Sequence, residues 1–172
     1  MRRWVLPLVV STGSLLGCDL EPCLADGDGC AGRATLALAA CGSDVSPVAL
    51  ADLLAAPPAP GTAVEVAGPL RREGAICTQL GCATAGGCCN GCGAALFLSA
   101  EPTLAVGSPA DLRLRGSLGG VDLSCGGDES LVCCPLPTDG PQVVVTGELV
   151  EDGVSVDGSH YGVTVLGICR AE

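Results

Sequence analysis

The 172-residue chain has no lysine, a single histidine, His160, and only three aromatic residues, Trp4, Phe97 and Tyr161. Binding to nucleic acid depends on basic side chains that neutralise phosphates. With 8 arginines against 19 acidic residues and a net charge of −11, the chain is not expected to bind DNA or RNA. The chain does contain 26 glycines, 12 prolines, 13 cysteines and 48% hydrophobic residues, which excludes a coiled coil and a disordered protein.

The N-terminus has the features of a secretory signal in the usual order. Arg2 and Arg3 precede a mainly apolar run, Trp4 to Leu16, that is too short to cross a bilayer as a helix. The run ends in Leu15-Leu16-Gly17-Cys18, which resembles the lipobox of bacterial lipoproteins. The resemblance implies that a type II signal peptidase removes residues 1–17 and that diacylglycerol is joined to the Cys18 sulfur. An ordinary cleaved signal and an uncleaved anchor helix are the alternatives.

A lipidated Cys18 would hold the mature chain on a membrane, because two or three acyl chains give a stable anchor. We therefore expect an envelope lipoprotein that faces the periplasm or the exterior, with the membrane and any envelope protein as its partners. Asp19 resembles the signal that retains lipoproteins on the inner membrane of enteric bacteria. This rule differs between lineages, so Asp19 does not decide whether the protein is on the inner or the outer membrane. The mature chain would carry 19 acidic residues and 6 arginines, a side-chain charge of −13.

Twelve further cysteines remain after Cys18, and an even set of thiols in an exported chain normally forms disulfides. The pairing does not follow from the sequence. Adjacent cysteines form a bridge only with strained geometry, so Cys88-Cys89 and Cys133-Cys134 are each expected to bind two different partners. The disulfide candidates are Cys23, Cys30, Cys41, Cys77, Cys82, Cys88, Cys89, Cys92, Cys125, Cys133, Cys134 and Cys169.

The densest group of cysteines, from Cys77 to Cys92, supports an alternative function. Four thiolates could hold zinc in a tetrahedron, and C-x-x-C spacing suits such a site. Cys89-Asn90-Gly91-Cys92 also matches the C-x-x-C motif of thiol oxidoreductases, although the following residues resemble a strand rather than the helix that this chemistry needs. A metal-binding or thiol-redox protein is therefore the alternative to a disulfide-braced one.

The mature chain divides into an acidic tether with cysteines, residues 18–45, and a β domain, residues 46–172. Asp26-Gly27-Asp28-Gly29 does not begin an EF-hand, because Cys30 and Ala37 occupy loop positions five and twelve. Ser46-Pro47 predicts the start of a helix, which would run for two turns from Val48 to Ala56.

Three segments share a strand pattern with alternating apolar residues and a glycine at the fifth position. A glycine at this place predicts a bulge or a sharp bend, which lets a sheet curl. The segments are Val64 to Leu70, Leu112 to Leu118 and Val143 to Leu149, and the glycines are Gly68, Gly116 and Gly147.

Further strands are predicted at Ala95 to Ser99 and Val163 to Cys169, and Asp152-Gly153 is a hairpin signal. The whole pattern indicates a mainly β protein: a small curled OB-like barrel or sheet with one short helix, rich in disulfides. From about residue 48 to 169 it resembles the OB-fold-like domains of uncharacterised cysteine-rich lipoproteins of high-GC bacteria. OB-folds commonly bind oligonucleotides or oligosaccharides through aromatic and basic residues. This chain has few of either, so the resemblance carries no function across.

Other candidate sites have simple structural interpretations. Asp157-Gly158-Ser159-His160 is predicted to be a turn between strands, since triad members normally come from distant segments. Gly126 to Ser130 is predicted to be a polar loop, and Arg71-Arg72 a solvated strand end rather than an anion site. No G-x-S-x-G motif or P-loop is present. We therefore expect a non-catalytic protein without a cofactor or resident metal.

Overall fold

The computed structural model describes residues 30, 34–78, 90–100, 111–128, 131–155 and 158–171. The predicted signal peptide, Cys18, Cys23, Cys82, Cys88 and Cys89 lie outside these residues. In chain order the elements are β1 (Val48–Ala49), α1 (Leu50–Ala55), β2 (Ala63–Arg72), β3 (Ile76–Cys77), β4 (Gly91–Ala94), β5 (Leu96–Leu98), β6 (Leu112–Arg115), β7 (Ser117–Leu118), β8 (Val121–Asp122), β9 (Cys125–Asp128), β10 (Val132–Cys133), β11 (Asp139–Ser155) and β12 (Gly158–Arg170). The prediction of a mainly β fold with one short helix is confirmed for this part of the chain.

Five of the strands pair in a closed ring. Strand β2 pairs with β11, β11 pairs with β12, and β12 runs parallel to β6. Strand β6 pairs with β5, and the last three residues of β2 pair with β5 to complete the ring. The other ring contacts are antiparallel.

The interior of the ring is filled by aliphatic side chains. Leu70, Leu98 and Leu112 are register partners on three adjacent strands and are fully buried. Leu50 and Leu53 of α1 belong to the same core cluster. Because partners across antiparallel strands project from the same face, the residues next to these leucines point outward from the ring.

The helix is shorter than predicted. It begins at Leu50, and Val48–Ala49 instead form β1, which pairs in parallel with Val66 and Ala67 of β2. The backbone N–H of Ser46 donates a hydrogen bond of 3.3 Å to Oε2 of Glu65, and no side chain caps the helix. Pairing with β2 therefore outweighs the local helix signal of Ser46-Pro47, and the prediction that the helix starts there is wrong.

The three patterned glycines have different roles. Gly147 lies at a register shift between β11 and β12, where Leu166 is the extra residue, so the predicted bulge is confirmed. Gly116 has a positive φ of +94° and interrupts the predicted strand, separating β6 from β7. Gly68 lies inside β2, where a Cβ would make only ordinary contacts with Leu50 and Leu98.

Asp152-Gly153 does not form the predicted hairpin turn. Both residues lie within β11, and Asp152 is the extra residue of a bulge between the pairs Glu151–Tyr161 and Gly153–His160. The strand continues to Ser155 because the backbone pairing with β12 resumes beyond the bulge. The same pairing places His160 inside β12 rather than in a turn.

A second, four-stranded sheet in the order β10-β9-β4-β3 was not predicted. Its strands are rich in glycine and cysteine, which have little strand preference. At Gly127 of β9 a Cβ would overlap the carbonyl oxygen of Leu131, so only glycine permits the close approach of β9 and β10. Gly126, Gly127 and Asp128 lie in β9, so the predicted polar loop at 126–130 is wrong for these residues.

Part of the stretch predicted to be a tether packs on the β domain. Leu36 and Leu38 contact the core cluster, and the Leu36 N–H donates to the Pro135 carbonyl at 2.7 Å. Ala40 forms an isolated parallel bridge with Arg170 at the end of β12. The chain is therefore attached to the barrel well before residue 46.

Candidate functional site

Each cysteine in the described part of the chain belongs to a disulfide. Cys30 pairs with Cys133, Cys41 with Cys169, Cys77 with Cys92, and Cys125 with Cys134. The adjacent Cys133 and Cys134 have different partners, as predicted. These bonds connect the N-terminal segment to β10 and β12 and brace the small sheet from within.

The cysteine group considered for metal or redox chemistry contains one of these bonds. Cys77 and Cys92 are register partners on β3 and β4, with Cα atoms 4.0 Å apart. Cys92 is thus bonded to Cys77 and not to Cys89, its partner in the C-x-x-C motif. Cys82, Cys88 and Cys89 lie outside the described residues. No group of three potential metal ligands occurs among the residues that are described.

The sequence suggested that Arg71 is a solvated strand end, and this prediction is wrong. It is half-buried, and its Nε atom is buried without a hydrogen-bond partner. The guanidinium lies against the backbone of Gly140, where a Cβ would come within 2.9 Å of both terminal nitrogens. Arg72, by contrast, is exposed.

Arg71 belongs to a row of side chains on the outer surface of the barrel. Arg71 of β2 is the register partner of Phe97 of β5, and Phe97 is the register partner of Arg113 of β6. Their neighbours Leu70, Leu98 and Leu112 are fully buried, so these three residues face outward together. We refer to Arg71, Phe97 and Arg113 as the outer row.

Arg113 and Arg115 share one carboxylate. Asp152, from the bulge of β11, forms an ion pair with Arg115, and its Oδ2 lies 3.8 Å from Nη1 of Arg113. The Asp152 side chain is 6% exposed, whereas those of the two arginines are 43% and 47% exposed. The single carboxylate therefore leaves both guanidinium groups partly accessible to solvent.

A cleft of about 620 Å³ lies between β6 and the small sheet. Its polar lining includes Arg113, Arg115, Glu73 and Asp122. Glu73 is largely buried, and its Oε1 accepts a hydrogen bond of 2.8 Å from the Ala95 N–H. Oδ1 of Asp122 accepts a 2.7 Å bond from the Ser124 N–H. Arg113 lines this cleft and also belongs to the outer row, so the two features adjoin at this residue.

Sequence reasoning did not find this site because its residues come from three separate segments. The local signal was present, since Phe97 and Arg113 each stand between two leucines and therefore face away from the core. The strand pairing that places Phe97 between two arginines is a long-range feature. The low overall content of aromatic and basic residues therefore did not reveal that some of them lie together on one face.

Comparison with known proteins gives no indication of the function. The chain matches no family model, no curated protein and no solved structure. Among the residues described, no helix has the length and apolar character needed to cross a membrane.

Proposed function

We propose that the protein is a lipid-anchored, non-catalytic component of the cell envelope with a structural or binding role. The observation that supports this most is the pairing of all eight described cysteines in four disulfides. Two of these bonds join residues 103 and 128 positions apart. Such bonds form and persist in oxidising compartments outside the cytosol, which agrees with the signal sequence and lipobox at the N-terminus.

The disulfide at Cys30 also limits the distance between the proposed anchor and the domain. Cys30 follows Cys18 by twelve residues and is bonded to Cys133 in the small sheet. Even fully extended, twelve residues span at most about 40 Å. A domain attached in this way remains close to the membrane surface, where a structural or binding role would be exerted.

Replacing Cys18 with serine tests the anchor directly. The thioether to diacylglycerol needs the cysteine sulfur, so C18S should lose all incorporation of labelled palmitate and should retain residues 1–17. The measurements are metabolic labelling and the intact mass of the protein from the membrane fraction. Cys23→Ser, a cysteine outside the lipobox, is the control and should be labelled normally. Normal labelling and processing of C18S would overturn the proposal.

The alternative, a metal-binding or thiol-redox protein, requires free thiolates in the Cys77 to Cys92 group. We predict that iodoacetamide, added in denaturant without reductant, modifies none of the eight described cysteines and that prior reduction makes all of them reactive. Peptide mass spectrometry identifies the modified positions. Modification of Cys77 and Cys92 after chelation alone, with release of stoichiometric zinc, would favour the alternative instead, because metal-bound thiolates become free when the metal is removed.

A further inference from the structure

One face of the small sheet consists largely of glycine. Register partners across antiparallel strands project from the same face, and the row that crosses all four strands is Ile76, Gly93, Gly126 and Cys133. Gly93 is exposed, whereas its neighbour Ala94, on the opposite face, belongs to the core cluster. The row therefore lies on the outward surface of the sheet, which we refer to as the glycine face.

Two exposed aliphatic side chains stand at opposite edges of the glycine face. Ile76 of β3 is 62% exposed, and Leu131, which directly precedes β10, is 43% exposed. Leu131 stands two residues before Cys133, so the alternation of side chains along a strand places it on the same side of the sheet. Strands β3 and β10 are three pairings apart, a distance of about 14 Å. The glycines between them leave Ile76 and Leu131 as the projecting apolar groups of this surface.

The proposed lipid anchor is attached to the same face. Cys133 is bonded to Cys30, which follows Cys18 by twelve residues that extend to at most about 40 Å. A domain of this size is about 35 Å across, so a path around its surface to the opposite side measures about 55 Å. A domain that rests on the membrane therefore cannot have the glycine face on its far side.

We propose that the glycine face contacts the membrane surface, with Ile76 and Leu131 at the boundary between the headgroups and the acyl chains. The proposal rests on the lipid anchor proposed above. Two aliphatic side chains would not hold a protein on a bilayer by themselves. Once the chain is anchored, however, the second contact is intramolecular, so that a weak contact is sufficient to orient the domain.

The charge of the chain indicates that this contact is apolar. The mature chain would carry a side-chain charge of −13, and Asp128 is the register partner of Gly91 at the end of β9. Anionic headgroups would therefore not attract the domain, and the contact should form on zwitterionic phosphatidylcholine without dependence on salt.

Two other occupants of the glycine face are less suitable. The segment 19–29 has four acidic residues and is a poor cover for aliphatic side chains. A second copy of the chain would gain little, because the face measures only about 14 Å by 10 Å. A stable dimer interface buries about 800 Å² on each partner, several times this area.

The test uses tryptophan as a local probe, since the sole tryptophan, Trp4, would be removed with the signal peptide. Ile76→Trp and Leu131→Trp each place one indole on the glycine face. Leu166→Trp is the matched control, because Leu166 is 68% exposed but lies on β12 of the barrel. The lipidated mature proteins are reconstituted in phosphatidylcholine vesicles that contain lipid brominated on its acyl chains. We expect quenching at positions 76 and 131 to be about threefold stronger than at position 166, because only the glycine face would reach the acyl chains.

Two results would overturn the proposal. Quenching at positions 76 and 131 that is no stronger than at position 166 would show that the glycine face does not contact the bilayer. Blue-shifted emission at 76 and 131 without quenching by brominated lipid would show that the segment 19–29 or a second copy covers the face. If one of the two substitutions alters the thermal unfolding midpoint, the other decides. Palmitate labelling of the same proteins is measured separately, so a labelled protein without this quenching contradicts only this inference, and an unlabelled one contradicts the anchor itself.

Discussion

Replacing Gly147 with alanine should lower the free energy of unfolding by about 3 kcal/mol, since overpacking of this kind usually costs 1 to 3 kcal/mol or more. A Cβ at this position would overlap the Thr164 carbonyl oxygen and approach Cγ2 of Val163 to 2.7 Å. Backbone atoms cannot move aside as a flexible side chain can, so the bulge between β11 and β12 would have to open. Urea unfolding followed by circular dichroism, with the disulfides intact, measures the change.

Gly68→Ala is the matched control for this variant. Gly68 occupies the same place in the strand pattern, but its Cβ would lie 3.4 to 3.5 Å from atoms of Leu50 and Leu98. These are ordinary van der Waals distances, and alanine restricts the unfolded chain more than glycine does. We expect a change within about 0.5 kcal/mol, or a small gain in stability. Equal losses at both positions would show that the bulge does not depend on Gly147.

The ring strands were predictable because their residues alternate between apolar and other types along the chain. The alternation at 64–70 and 143–149 located β2 and β11, and the shared glycine indicated a bulge, which lies opposite Gly147 at Leu166 of β12. The small sheet could not be found in this way. Its strands bury little beyond glycine, alanine and cysteine, and their pairing is braced by Cys77–Cys92 and Cys125–Cys134.

The errors at Val48 and Asp152 have a common physical cause. Local signals favoured a helix start at Ser46-Pro47 and a turn at Asp152-Gly153, but each segment gains more from pairing with a distant strand. Val48 and Ala49 pair with β2, and the bulge at Asp152 directs its carboxylate toward Arg115 on β6. Long-range pairing of the same kind also creates the outer row. The candidate site was therefore not predicted from the sequence, for the same reason that the predictions at Val48 and Asp152 were wrong.

Removing the Cys41–Cys169 disulfide should destabilise the domain by about 4 kcal/mol. With Cys30–Cys133 intact, the bond closes a loop of about 50 residues, for which the loss of unfolded-chain entropy gives a value of this size. The bond also holds residues 39–41 beside β12. There the Arg170 N–H donates a hydrogen bond of 2.7 Å to the Ala39 carbonyl oxygen, and the Cys41 N–H donates one of 3.0 Å to the Arg170 carbonyl oxygen. The variant to measure is Cys41→Ser with Cys169→Ser, which leaves no unpaired thiol at the site.

The double variant Cys77→Ser with Cys92→Ser is the comparison, because its bond spans only 15 residues and joins two antiparallel strands of the small sheet. Shorter loops lose less entropy on closure, so this variant should lose about 3 kcal/mol at most. Denaturant midpoints and hydrogen exchange distinguish the two: loss of Cys41–Cys169 should expose the amides of Cys41 and Arg170 and leave those of β3 and β4 protected. The prediction is wrong if the Cys77–Cys92 variant loses more stability than the Cys41–Cys169 variant. The stability of the domain would then depend mainly on the small sheet and not on the attachment of the N-terminal segment to β12.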